Sequence, residues 1–223
     1  MYSRIVLATA LALTSQATAA ETALAPARMA VTLEAESAVA TGVTPGATVA
    51  WLGVSRDREE WLDHLYHWRL TAEDADKDGI VRFPRKEGFP GQTILVAVDL
   101  VTGGWAVGGT YPLESGVAPP ELGSPKSDAA GLLTAFSHRG SKVDILVARA
   151  GGEAWSARVL DGGPLDADGV ADGIVTVGLA ALPSRGGKAG RLDGIRPGDV
   201  VAMVGASGPW ARVVRFAGNG GTE

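Results

Sequence analysis

Six aspartates carry the first hint of chemistry in this 223-residue sequence. Asp74-Ala75-Asp76-Lys77-Asp78-Gly79 sets a carboxylate at every second position ahead of a glycine, and Asp166, Asp168 and Asp172 precede Gly173 in a second acidic stretch. Alternate carboxylates in a tight turn converge on one point, and hard oxygen donors of that kind suit calcium. A helix–loop–helix calcium loop also needs a bidentate acid at its twelfth position, which here is Arg85. A site at a sandwich edge would instead draw on Glu73, Glu87 or backbone carbonyls. The same residues have a second reading, because Asp and Gly are good turn formers in their own right. Asp74, Asp76, Asp78, Asp166, Asp168 and Asp172 are thus the candidate metal ligands, calcium the candidate cofactor, and turn formation the competing role.

Other residues offer less. Asp63, His64 and His67 could serve a metal-dependent hydrolase if the segment were helical, since His at i and i+3 then share a face; on a strand they would not. No His-Glu-x-x-His arrangement accompanies them. Ser184-Arg185-Gly186-Gly187-Lys188-Ala189-Gly190-Arg191 has the charge for anion, partner or glycan contact, but lacks the Gly-Lys-Ser/Thr of a phosphate loop, and a solvated hairpin is its plainer reading. Gly205-Ala206-Ser207-Gly208 is not a nucleophile elbow. Nothing nominates a catalytic constellation.

Composition narrows the field. There is no cysteine, which excludes disulfides, cysteine zinc sites, iron–sulfur clusters and a cysteine nucleophile. Twenty basic against 25 acidic side chains give a net charge of −5, which speaks against nucleic-acid binding. Residues 1–19 read as a signal peptide: Arg4, then the run Ile5–Leu13, apolar but for Thr9, then Ala17-Thr18-Ala19 at the cleavage site. The run is too short to span a bilayer, and no second long apolar segment follows. The expectation is an exported protein, periplasmic or extracellular, with no membrane span after cleavage.

The elements that would position these residues repeat. Gly46-Ala47-Thr48-Val49 matches Gly140-Ser141-Lys142-Val143, Glu59-Glu60-Trp61 matches Glu153-Ala154-Trp155, and Asp78-Gly79-Ile80-Val81 matches Asp172-Gly173-Ile174-Val175, all at an offset of 94. The offset then widens, because the second copy carries an insertion near Ser184–Leu192, and Trp105-Ala106 falls against Trp210-Ala211. The repeats are expected at 25–112 and 127–218, with a Pro-rich linker at 113–126. Short segments rich in β-branched, aromatic and other apolar residues at 47–54, 80–83, 94–100, 143–148, 174–177, 200–204 and 210–216, beside Gly, Pro or Asp turns, predict strands. Arg58–Leu70 and Asp128–Phe136 are the two segments with any helical character. The recurring tryptophans read as core residues; Trp51, Trp68 and Tyr66 belong to the first copy alone and would form either a bulkier core or an aromatic platform for sugar or peptide.

Pro-Gly turns feeding strands, the Asp-Gly-Ile hairpins and the late Gly-x-Trp hairpin resemble bacterial immunoglobulin-like modules of exported proteins. The resemblance implies an all-β chain of two tandem immunoglobulin-like β-sandwich domains with a non-enzymatic role in binding, adhesion or envelope structure, toward a protein or glycan partner. It transfers no catalytic residue. Gly194-Ile195-Arg196-Pro197-Gly198-Asp199-Val200-Val201 also resembles a stretch of PDZ domains, which would make the second half a peptide binder.

Overall fold

The computed structural model describes residues 29–57, 64–85, 89, 92–110, 125–128, 130–185, 190–205 and 210–217. The expected signal peptide, Trp61, Asp63 and most of the Pro-rich segment lie outside these residues. The protein is nearly all β, in antiparallel sheets.

In the first half the strands are β1 (Ala30–Leu33), β2 (Ser37–Thr41), β3 (Thr48–Asp57), β4 (His64–Glu73), β5 (Ile80–Pro84), β6 (Gln92–Asp99) and β7 (Trp105–Gly109). They form one sheet ordered β1-β2-β5 and another ordered β4-β3-β6-β7. In the second half they are β8 (Lys126–Ser127), β9 (Leu132–Phe136), β10 (Lys142–Arg149), β11 (Glu153–Leu160), β12 (Ile174–Gly178), β13 (Val200–Gly205) and β14 (Trp210–Arg215). Their sheets run β12-β9-β8 and β11-β10-β13-β14, the same order strand for strand. The helical readings give way to strands at His64–Leu70, within β4, and at Leu132–Phe136, β9. In β4 the reason is visible: Trp68, Leu70 and Ala72 alternate with Arg69 and Thr71, a period of two.

Each half closes its own core. Trp51, Trp68, Leu95 and Val81 fill the space between the first two sheets. Trp155, Ile145, Met203, Val175 and Trp210 do so in the second half. A third core then joins the halves. Ala50, Leu52 and Val54 of β3 and Ile94, Val96 and Val98 of β6 pack against Leu146 and Ala148 of β10 and Val200, Ala202 and Val204 of β13. The two four-stranded sheets therefore meet back to back, and the molecule is a stack of four layers. This explains why β6 reads Ile94-Leu95-Val96-Ala97-Val98 without alternation: both of its faces are dry. Each fully buried Val or Leu removed from water contributes about 1.5–3 kcal/mol before conformational entropy is counted.

Polar contacts close the seam at both ends. At one end the N–H groups of Gly151 and Gly152 both donate to the Leu100 carbonyl at 3.0 Å, and Arg215 Nη2 donates to the Gly103 carbonyl at 2.5 Å. At the other end His67 Nδ1 bonds Asp144 Oδ2.

The register corrects two sequence pairings. Gly53 faces Trp68 across β3–β4, and its counterpart Val147 faces Trp155 across β10–β11. Trp68, not Trp61, is thus the equivalent of Trp155; the longer β3–β4 connection of the first half shifted the sequence match by seven residues. Trp105 pairs with Val98, whereas Trp210 pairs with Gly205 and Ala211 takes the position facing Val204. A slip of one residue sends the two tryptophans to opposite faces. Trp210 is 2% exposed and Trp105 43%. The insertion after β12 is not a solvated hairpin in its described part: a 3-10 turn at Leu179–Ala181 leads to buried Leu182, Ser184 bridges to Trp155, and buried Leu192 follows.

Candidate functional site

The acidic residues divide into three roles. Asp74 and Asp161 follow the last residues of β4 and β11 and do the same work in each half. Asp74 Oδ2 accepts the N–H groups of Gly46 and Gly79, each at 3.0 Å. Asp161 Oδ2 accepts those of Gly140 at 2.6 Å and Gly173 at 3.0 Å. Each carboxylate clasps two turns together. Gly79 and Gly173 take φ of +78° and +93°, a backbone that side chains resist, so the Asp-Gly pair in both repeats has a conformational cause. Sequence comparison at a constant offset missed this equivalence, because Asp74 and Asp161 sit beyond the unequal hairpin. Hydrogen bonds from Gly46 and then Gly79 outweigh the penalty of burial and hold the Asp74 carboxyl below its ordinary range.

Asp78 and Asp172 are turn residues, bonding the N–H of Ile80 and Ile174 at 2.8 Å each. Asp168 bonds the N–H of Val170 at 2.8 Å. Asp166 is committed through both oxygens, to the N–H groups of Gly162 and Thr176 at 2.9 Å each. The first loop differs. Asp74, Asp76 and Asp78 bring one carboxylate oxygen each within 4.8 Å of one another. Among the described residues Asp166, Asp168 and Asp172 are not gathered in this way. Asp74 Oδ1 is buried and has no hydrogen-bond partner among the described residues.

The histidine expectation resolves differently. β4 is a strand, so the helix that would have set His64 and His67 on one face does not form. His67 is 3% exposed and bonds Asp144, itself 0% exposed, across the seam between the halves. Arg69 of β4 and Arg158 of β11 lie over the same carboxylate, with Nε 3.4 Å and 3.3 Å from Asp144 Oδ1. Arg185 reaches in from the insertion: its N–H donates to the Ala154 carbonyl at 2.7 Å, and its Nε donates to Ser156 Oγ at 2.8 Å. Burial, together with the like charges of Arg158 and Arg185, lowers the Arg69 pKa from its ordinary value against the opposing pull of Asp144. No sequence motif announces this cluster, since its members come from four separate segments.

A second ion pair is architectural. Arg149 grips Asp199 through Nε at 3.0 Å and Nη2 at 2.9 Å, donates to the Gly194 carbonyl at 2.8 Å, and lies over Trp155. Its charge is stabilised, first by the Asp199 hydrogen bonds. Asp199 also accepts the Arg196 N–H, so the PDZ-like stretch forms a turn feeding β13. Peptide capture by strand addition needs a free sheet edge, and β13 is flanked on both sides by β10 and β14. The aromatic platform is likewise replaced by packing. Trp51 is 1% and Trp68 8% exposed; Trp68 stacks near Phe89 at 5.6 Å, with Arg85 over its ring at 4.4 Å.

No protein-family model matches the chain, and no curated protein matches it. Among solved structures it is similar to a tetra-tandem repeat in the extending region of a large adhesion protein, at 12% identity and a TM-score of 0.26. That match covers 83% of this chain and 47% of the other, so the chain spans about half the length of that structure. No helix among the described residues is long and apolar enough to cross a membrane.

Proposed function

We propose that the chain is an exported, non-enzymatic binding, adhesion or envelope-structural protein built from two immunoglobulin-like repeats. The strand order supports the immunoglobulin-like reading: in each half the first, second and fifth strands face the third, sixth and seventh, with the fourth carried on the latter sheet. The observation that carries the functional reading is the shared core of β3, β6, β10 and β13. It makes the repeat pair one stiff unit, which suits a spacer or a scaffold for surface contacts toward a protein or glycan partner. The test is retention of the purified chain on envelope fractions and glycan arrays, beside zinc analysis and a hydrolase panel. The expected result is saturable retention without turnover. Stoichiometric zinc with turnover lost in His67→Ala would replace this reading with the metal-dependent hydrolase.

Calcium is the ion assigned to the first acidic loop. Asp74, Asp76 and Asp78 offer the converging oxygens it takes; Asp74 Oδ1 is buried without a hydrogen-bond partner among the described residues, as is Asp161 Oδ1 in the second half, so the gathered trio is what favours the first loop. Millimolar calcium should raise the melting temperature by several °C over EDTA, since a ligand at 100 times its Kd adds about 2.7 kcal/mol. Equal melting in both conditions would reduce the loop to a turn.

A further inference from the structure

We infer that the seam between the repeats carries a binding site for a doubly charged oxyanion of the phosphate class, formed by Arg69, Arg158 and Arg185 above the Asp144–His67 pair. Two guanidiniums, those of Arg69 and Arg158, pair with the single carboxylate of Asp144, and the guanidinium of Arg185 lies close enough to act on Arg69 while donating to Ser156 and meeting no carboxylate among the described residues. Two positive charges are left over. Like charges held together cost free energy unless an anion joins them; burial lowers the Arg69 pKa first, and Arg158 and Arg185 add to it. A dianion balances the cluster where a monovalent carboxylate would not.

Donor geometry points the same way. Arg69 and Arg158 face Asp144 through Nε, leaving their Nη groups with no hydrogen-bond acceptor among the described residues. Guanidinium forks of this kind take tetrahedral oxyanions two oxygens at a time. Access also fits. Asp144 and His67 are sealed at the base, whereas the Arg69 and Arg158 side chains are 26% and 33% exposed. β4 and β11 are the outermost named strands of their facing sheets, with segment 183–185 alone laid along β11, so the cluster lies at the side of the stack. Segment 183–185 runs along β11 through Ser156 N–H to Pro183 carbonyl and Arg185 N–H to Ala154 carbonyl bonds, which fixes Arg185 beside the other two. Arg69 belongs to one repeat and Arg158 and Arg185 to the other, so the anion would bridge the halves. The inference stands independently of the cation reading and of the adhesion role.

The test is calorimetric titration of the full chain with inorganic phosphate, sulfate, glycerol 1-phosphate and acetate at equal ionic strength. Saturable one-to-one binding of the dianions is expected, at least tenfold tighter than acetate, and lost in Arg158→Gln and Arg185→Gln but kept in Arg82→Gln on the exposed face of β5. Glycerol 1-phosphate binding tighter than phosphate would identify a phosphate monoester as the source, and equal binding the free ion. No binding to the parent chain, or binding unaltered in Arg185→Gln, overturns the site. Arg185→Gln leaves the partners of Asp144 intact, so it remains decisive if Arg158→Gln fails to fold.

Discussion

The two repeats share a strand order and a carboxylate clasp, yet they differ in the connections between their strands. The first half lengthens β3–β4, and its Asp74 clasp sits beside Asp76 and Asp78. The second half lengthens β12–β13, lays that segment along β11, and leaves its clasp residue Asp161 without an acidic trio. The two halves therefore share what closes each core and differ in their connections. The lengthened β12–β13 segment brings Arg185 to the arginine seam, and the acidic trio stands in the β4–β5 loop of the first half alone, the two places where function is proposed.

The largest effect should come from the surface on which the halves agree. Leu52→Asp buries a charge in the shared core and should cost more than about 4 kcal/mol, splitting or abolishing a single calorimetric transition. A variant as stable as the parent would mean that the back-to-back packing does not hold in solution. Next comes the tryptophan contrast. Trp210→Ala should lower stability by about 3–5 kcal/mol in urea unfolding. Trp105→Ala should stay within about 0.5 kcal/mol, and equal losses would refute the one-residue register difference.

The clasps sharpen the comparison. Asp161→Asn should cost about 1.5–3 kcal/mol, as expected for a charged acceptor of two part-buried hydrogen bonds, while leaving any calcium-induced rise in melting temperature intact. Asp74→Asn should remove that rise. The same residue predicts an acid limb. Its folded pKa lies below the unfolded value of about 3.9, so its contribution is present above that pH and is lost as pH falls through the folded value. Acid unfolding monitored by tryptophan fluorescence should be shallower in Asp74→Asn over that window. Smallest of all, Asp168→Ala removes an exposed turn contact and should change stability by less than about 0.5 kcal/mol.

Much of the fold was legible in the residues. Asp78-Gly79 and Asp172-Gly173 marked matching turns because an Asx bond followed by positive φ is a local requirement. The unbroken run in β6 marked a buried strand, and its lack of alternation also held the message that a second layer covers the other face. The candidate ligands were less legible. Asp166 looks like Asp74 in a string of letters, but its two oxygens are taken by Gly162 and Thr176. Trp61 looked like the partner of Trp155, because a constant offset cannot see past a hairpin of different length.

The all-β character and the turns were readable from the residues alone, since each depends on positions a few apart. Only the tertiary structure decided that equivalent sheets share a core, that Trp210 turns inward while Trp105 turns out, and that His67 meets Asp144. Those outcomes depend on which surface covers which face. That is set by packing between segments whose separation in the chain leaves no local pattern to read.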